Sequence, residues 1–436
     1  MLTSHGPGLL AQCRGRELHI HTGIGTRTVL VHNGTSMGTR FAQGPETGGL
    51  FASAQALTMH RFLLRFALAG VNIFAWIFVF QFFYFLEPDL TYAFVRTTLL
   101  YALSQMITCL ATPLTARLLR GGARRVLLWG TLFVGAAFVA LGTAFEGFWN
   151  IVYIGTPIAA FALSMGLYRA LYWIPYEVEV SAEGRKKSSI FGEIMIALAP
   201  LLGGLFIVGA ERGPAWILYI GAGIVLLSIV PIFYMRDMHE KFMWKYRETF
   251  VHLFRIENRT LVLGSFLEGL SGAALLFFWP LVVFLIVDSS YGMLGVILSL
   301  TFLIAILMRG TVRRFMRRLG LVKSRALNVV FAVTPWLFRI AVGGPLAIIL
   351  VDSYFYTTTP RRLGVDPFAF EQAADAGSYV DEYTALKEIA LALGRIVISF
   401  AGVAALLLMS IPAALASIFL IAGLTAAVGV LWLRTQ

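Results

Sequence analysis

Seven ionisable side chains interrupt long apolar runs, and any chemistry must be sought among them: Arg169, Glu193, Glu268, Arg339, Asp352, Glu388 and Arg395. A charge at the centre of a bilayer costs about 2.5–3.5 kcal/mol on insertion scales, so such a group faces a cavity or a partner. Glu388 and Arg395 are seven positions apart and share a helix face, two turns from one another. Arg395 is the deeper of the two. It is expected to face a central cavity, where a guanidinium attracts an anionic group or pairs with a carboxylate; the alternative is a structural ion pair. Asp352 stands near mid-helix and is the candidate proton site, since intramembrane carboxyls mark ion and proton pathways. Glu268, a third of the way along its helix, is a candidate of the same rank. Glu193 and Glu388 begin their helices, where the helix dipole alone favours a carboxylate. Arg169 and Arg339 have stems long enough to carry their charges to opposite surfaces, which makes both of them anchors first. The substrate or coupling set is therefore Arg395, Asp352, Glu268, Glu388, Glu193 and Arg169. Asn72, Gln81, Gln105 and Asn328 can bond a solute or a neighbouring helix. Trp76, Trp279 and Trp336 can line a pathway or simply pack. Pro157, Pro280 and Pro335 are read as breaks in the fourth, seventh and ninth helices.

The elements that must position these groups follow from composition. The 436 residues are 58% hydrophobic and only 13% charged, with a mean hydropathy of +0.79, whereas soluble domains carry roughly 25% charged residues. The apolar residues come in blocks of the ~20 residues that cross a hydrocarbon core. Backbone groups in lipid must be paired internally, so these blocks are helices; no period-two alternation argues for a barrel. The spans are placed at about 63–86, 92–118, 126–144, 149–172, 190–208 and 215–235. After a charged amphipathic linker, 236–259, they continue at about 260–287, 292–308, 326–342, 345–356, 385–409 and 412–433. Residues 1–58 are Gly-rich, Arg-bearing and without sustained periodicity. They are read as a disordered polar leader, with Met59 a plausible initiator.

Loop charge sets the topology. One side receives Arg117, Arg120, Arg124 and Arg125, then Arg185, Lys186 and Lys187. It also receives the basic linker, a run from Arg309 to Arg325, and Arg361 and Arg362. The opposite loops hold Glu87, Asp89, Glu146, Glu211 and Asp288, with Arg212 the exception. The positive-inside rule then puts both termini in the cytoplasm, as an even number of spans requires. The net charge of +12 thus reports membrane orientation and not a nucleic-acid partner.

The two sets of spans look alike. Gly192-Glu-Ile194 and Lys387-Glu-Ile389 each open the fifth helix of their half, and each continues into an apolar run. The loop 119–125 corresponds to 318–323. On these grounds the chain resembles the major facilitator superfamily over residues 59–436. The resemblance implies an all-α membrane protein of twelve helices in two pseudo-symmetric six-helix bundles, 59–235 and 260–436. That family's turn after its second helix reads Gly-x-Leu-Ala-Asp-Arg-x-Gly-Arg-Arg. Arg120, Gly122, Arg124 and Arg125 match it as gating-loop residues, while Leu119 stands at the Asp and Thr115 at the first Gly. The second copy has Arg317 at the Asp position. Ala199-Pro-Leu-Leu-Gly-Gly204 resembles an element of proton-antiporting exporters in the superfamily, but ordinary tight packing of small residues is the first reading. Tyr172-Trp-Ile-Pro-Tyr176 is similar to a stretch in bacterial members and reads as an aromatic belt at the membrane interface.

Cys13 and Cys109 are too few for a disulfide framework or a metal site. Phosphate-loop, zinc-helix and nucleophile-elbow motifs are absent from the sequence, so neither an enzyme nor a cofactor is expected. His239 and His252 are read as solvated. The expectation is an inner-membrane secondary transporter that moves a small solute by alternating access, with proton coupling as a hypothesis. Its partners would be the solute, protons and the bilayer, with no nucleic acid, and it would act as a monomer. Two rivals stand beside it. One is a transporter-like binding or sensor protein without flux; the other is a lipid enzyme, for which only the acidic loop of Asp366, Glu371, Asp375, Asp381 and Glu382 offers a place.

Overall fold

The computed structural model describes residues 11–14, 17–22, 25–29, 53–146, 149, 153–183, 189–321, 324–358 and 380–432. It separates into two compact units, Met1–Gly49 and Leu50–Gln436. Within the first, strands β1 (Ala11–Arg14), β2 (Glu17–Thr22) and β3 (Gly25–Val29) pair antiparallel in sequence order. Arg14 stands opposite Glu17, and Thr22 opposite Gly25. This differs from the unstructured leader expected over 1–58. Alternation over four to six residues is too brief a signal to read inside a Gly-rich stretch.

The second unit is helical. Its helices are α1 (Ser53–Leu86), α2 (Leu90–Leu118), α3 (Ala123–Phe145), α4 (Gly155–Glu183), α5 (Ile190–Gly209) and α6 (Gly213–Ile232). After the linker come α7 (Ile256–Ile286), α8 (Tyr291–Arg318), α9 (Arg325–Ile340), α10 (Pro345–Thr358), α11 (Val380–Leu408) and α12 (Ile411–Trp432). Among the described residues nine of these are long and apolar enough to cross a membrane. The exceptions are α9 and α10, at 16 and 14 residues, and α4, whose hydropathy is diluted by Arg169 and a Tyr- and Trp-rich run. The most apolar window of α12 is only 33% buried, so most of that apolar surface faces outward, as it does only where lipid is the solvent. The protein is a multi-pass membrane protein.

Three boundaries differ from the sequence expectation, and each moves chemistry. Helix α1 starts at Ser53, inside the expected leader, with Ala56 and Leu57 buried. Helix α4 begins at Gly155, so Pro157 sits in its first turn, where a proline breaks no bond. It then runs on to Glu183. The expected belt of Tyr172, Trp173 and Tyr176 is therefore interior and buried, and Glu177 and Glu179 are buried helical residues. Tyr172 and Tyr176 stack 5.5 Å apart, and Arg61 of α1 donates to the Tyr176 hydroxyl. Likewise α11 begins at Val380, which puts Asp381 and Glu382 in its buried first turn and not in a solvated loop. Carboxylates belong there because the helix N-terminus carries partial positive charge. Arg185, Lys186, Lys187, Arg361, Arg362, Asp366, Glu371 and Asp375 lie outside the described residues.

The helices before and after the linker meet along four crossings: α2 with α11, α5 with α8, α4 with α11, and α1 with α7. One apolar core runs through both sets. The α5–α8 crossing is backbone against backbone. A Cβ on Gly295 would lie 2.4 Å from the Pro200 carbonyl, and one on Gly204 would lie 2.5 Å from the Tyr291 carbonyl. The Leu201 amide, in the turn that Pro200 loosens, donates across to Ser299 Oγ at 2.8 Å.

The linker docks against one end of the helices through a short helix, Tyr246–His252. His252, expected to be solvated, is partly covered, with its ring stacked on Trp244 at 3.8 Å. Burial, then the nearby Arg255 charge, pushes the His252 imidazole below its ordinary value of 6.5. A base whose folded value is depressed stabilises docking above 6.5 and loses that contribution as pH falls toward the folded value. Amide protection in the linker, corrected for intrinsic exchange, is therefore expected to drop on acidification below pH ~6.5. His252→Phe should abolish that dependence; an unchanged profile in the variant would refute it.

Candidate functional site

Helices α1 and α7 open their respective sets, and each contains a π-helical segment, Leu68–Asn72 and Ala274–Phe278. A π segment shifts the register of the side chains that follow and recurs at functional sites. Here it delivers Asn72 and Trp76 from α1, and Leu276 and Trp279 from α7, to a cavity between the two sets. Tyr101 of α2, Arg169 of α4, and Asp352 and Tyr356 of α10 complete the polar lining. The cavity measures about 40 Å³, room for a few waters.

Asp352 is held from two helices. Its Oδ1 accepts from Arg339 Nη2 at 2.7 Å and Nε at 3.2 Å, and its Oδ2 accepts from Trp279 Nε1 at 2.8 Å. The Arg339 guanidinium is enclosed by rings, its Cζ lying 4.5 Å from Phe355, 4.6 Å from Trp336 and 5.2 Å from Trp279. The expectation that Arg339 reaches the surface is corrected: its side chain is 0% exposed. Pairing with Asp352 and the faces of three aromatic rings replace the water it would otherwise seek.

A second polar chain crosses between the sets. Arg395 Nη1 of α11 donates to Gln105 Oε1 of α2 at 3.3 Å, and Gln105 Nε2 donates to Ser104 Oγ at 3.1 Å. Arg169 Nη1 reaches the same Ser104 oxygen at 3.5 Å, with its Cζ 5.7 Å from the Tyr101 ring. Tyr101 in turn stacks on Phe277 of α7 at 4.3 Å and meets Trp76 edge-on at 5.2 Å. The structure thus brings Arg169 and Asp352 to the lining of one cavity, from different sets, and leaves Arg395 one hydrogen-bonded chain behind it.

The remaining sequence candidates fall elsewhere. Glu388 is buried on α11, on the linker side of Arg395. Glu268 is half-buried on α7 and does not line the cavity. Glu193 of α5 lies within electrostatic reach of Arg309 on α8. Of the gating-loop residues, Arg120 Nη2 donates to the Phe242 carbonyl at 3.1 Å and the Arg124 amide to Asp237 Oδ1 at 3.1 Å. Gly122 adopts φ +109° and Arg125 is exposed. Gln81 accepts from the Tyr291 hydroxyl, and Asn328 bonds within its own helix to the Ser324 carbonyl at 2.9 Å.

The cavity is bracketed. Toward the end opposite the linker, Tyr291 of α8 packs on Phe78 of α1 at 5.4 Å and Phe284 of α7 at 5.1 Å, beside its bond to Gln81. Toward the linker end, Ala385 of α11 shares one buried cluster with Leu119, Ala123, Ile174 and Val178 of the first set and Phe242 of the linker.

No protein-family model matches the chain, and no curated protein sequence matches it. Solved structures do match in shape. A bacterial homologue of the iron transporter ferroportin, inward-facing, superposes with a TM-score of 0.57 at 18% identity, over 89% of this chain and 100% of that one. A POT family transporter in complex with 5-aminolevulinic acid gives 0.56 at 11%, over 87% and 95%. The human organic anion transporter MFSD10 gives 0.54 at 14%, over 87% and 98%. The chain has the fold of major-facilitator-type transporters.

Proposed function

We propose that this protein is a secondary active transporter, in which two six-helix halves, twelve spans in all, rock about a central site to carry a small solute by alternating access. The observation that carries the reading is the small cavity lined from both sets, its wall largely apolar but carrying Arg169 and Asp352, and bracketed by inter-set contacts toward either end, which is the geometry of a carrier caught occluded. Matched π segments in α1 and α7 support it, since they set the cavity-lining register in both halves. The basic loops put the linker and both termini on the cytoplasmic side of the inner membrane. The cavity lies within one chain, so the transporting unit is the monomer, and catalysis plays no part. The fold's neighbours carry iron, peptides or organic anions by their descriptions. A wall holding Arg169 and Asp352 among Trp and Tyr rings suits a small, polar, charged solute of that kind.

Coupling to protons is assigned to Asp352, the carboxylate lining the cavity. In liposomes with an imposed pH gradient, a screen of small charged solutes should show gradient-dependent flux, and Arg395→Ala should impair it while folded protein stays in the membrane. Flux indifferent to the gradient removes the coupling. Saturable binding without any flux favours the reading as a sensor on a transporter scaffold, to which the acid-free turn at Leu119 lends support.

A further inference from the structure

The linker does more than join the two sets. Residues 236–259 could span about 80 Å if extended, so chain length does not force them onto the helices. Yet they are fixed at successive points. Asp237 Oδ1 accepts from the Arg124 amide at 3.1 Å, capping the N-terminus of α3 from 113 residues away. The Ala123 amide donates to the Met238 carbonyl at 2.7 Å. Gly122, at φ +109°, makes room for this carboxylate: a Cβ there would lie 2.4 Å from Asp237 Oδ1. Next along the chain, Phe242 is 0% exposed. It belongs to one buried apolar cluster with Leu119, Ala123, Ile174 and Val178 from the first set and Ala385 from the second. The Met243 amide then donates to Glu382 Oε1 of α11 at 3.2 Å. One short stretch therefore grips the α2–α3 turn with one hand and the start of α11 with the other.

We propose that the linker is a latch that holds the linker end of the cavity shut, with Asp237 and Phe242 as its two catches. The inference rests on the transport reading for its purpose but not for its test. When α11 moves away from α2 and α4, Ala385 and Glu382 withdraw from Phe242 and Met243, and the latch loses its second anchor. Conversely, a docked latch ties both sets together at this end while leaving the Tyr291 end untouched.

Cys109 reports on it. This thiol lies on α2 beneath the latched contact, 6% exposed, packed with Leu253 of the linker and with Leu386, Ile389 and Ala392 of α11. In full-length Cys13→Ser protein in lipid nanodiscs, a small maleimide should modify Cys109 slowly. Asp237→Ala should raise the rate about five-fold, the effect of a lost cap. Phe242→Ala should raise it by about 100-fold or more, since it empties a buried aromatic site. Tyr291→Phe, at the other end, should not raise it. Amide exchange at Ala123 and Arg124 should quicken in the first two variants while the helices elsewhere stay protected, which separates unlatching from misfolding. Labelling at the parent rate in both linker variants overturns the latch, as does equal acceleration by Tyr291→Phe. Faster labelling in a protein that moves no solute upholds the latch and rejects transport; unchanged labelling alongside robust flux does the reverse.

Discussion

Asp352→Asn is expected to abolish flux and to lower the protein's stability by about 3–5 kcal/mol, the cost of leaving one member of a buried ion pair uncompensated. The Arg339 guanidinium would remain among Trp336, Phe355 and Trp279, having lost the carboxylate it pairs with among the described residues. The ring contacts are present in the parent too, so they do not offset that loss. Trp279→Phe removes a single bond to Oδ2 and should cost about 1–2 kcal/mol. The informative variant is the double one. Arg339→Met with Asp352→Leu removes both charges together, so stability should return to near or above the parent value, as apolar replacement of buried pairs allows. Flux should not return, because the cavity has lost its carboxylate. Thermal unfolding in detergent and flux in liposomes read the two quantities separately. An Asp352→Asn protein that is as stable and as active as the parent would remove Asp352 from the site altogether.

Much of this was legible from residue types, and the omissions have physical causes. Apolar blocks of span length and the alternation of basic and acidic loops are large signals, so the helices and their order came through. Asp352 stood out because charge in an apolar run is costly wherever it points, whereas Arg169, read first as a surface anchor, is buried at 6% exposure. Arg339 was misjudged because a long stem permits both snorkelling and burial, and only the position of Asp352 on the next helix decides between them. Gln105 and Gln81 looked alike in sequence; one bonds Arg395 and the other Tyr291, a difference fixed by helix rotation. The π segments left no trace, since 68–72 and 274–278 are apolar stretches that suit an α-helix equally well. The continuation of α4 through Pro175 to Glu183 was obscured because acidic residues after an aromatic run read as a loop until burial is known. Asp237 was invisible as a cap because its partner amide is 113 positions away.

Ala199-Pro-Leu-Leu-Gly-Gly204 shows where a short motif acquires meaning from structure. Gly204 and the Pro200 carbonyl both face α8, against Tyr291 and Gly295, so the motif builds a crossing between the two sets and not merely a bend in one helix. Gly295→Val is therefore expected to cut flux by about ten- to a hundred-fold, the equivalent of the ~1–3 kcal/mol that overpacking costs. Its Cβ would fall 2.4 Å from the Pro200 carbonyl oxygen and 3.2 Å from Leu201 Cα. Both are backbone atoms that no rotamer can move aside, so α5 and α8 must separate by roughly 1 Å or tilt, and the Leu201–Ser299 bond is lost with them. Gly204→Val attacks the same crossing from the opposite helix through the Tyr291 carbonyl and should behave alike. Gly292, one turn earlier on α8, is the control. A Cβ there would meet only Val208 Cγ2 at 3.6 Å, an ordinary contact, so Gly292→Ala should leave flux unchanged. Cysteine pairs placed across α5 and α8 should cross-link less readily in Gly295→Val than in the parent. Two backbones held this tightly cannot absorb a side chain without changing how the two sets meet, so if Gly295→Val and Gly292→Ala instead transport equally well, the close crossing is packing that the cycle does not need.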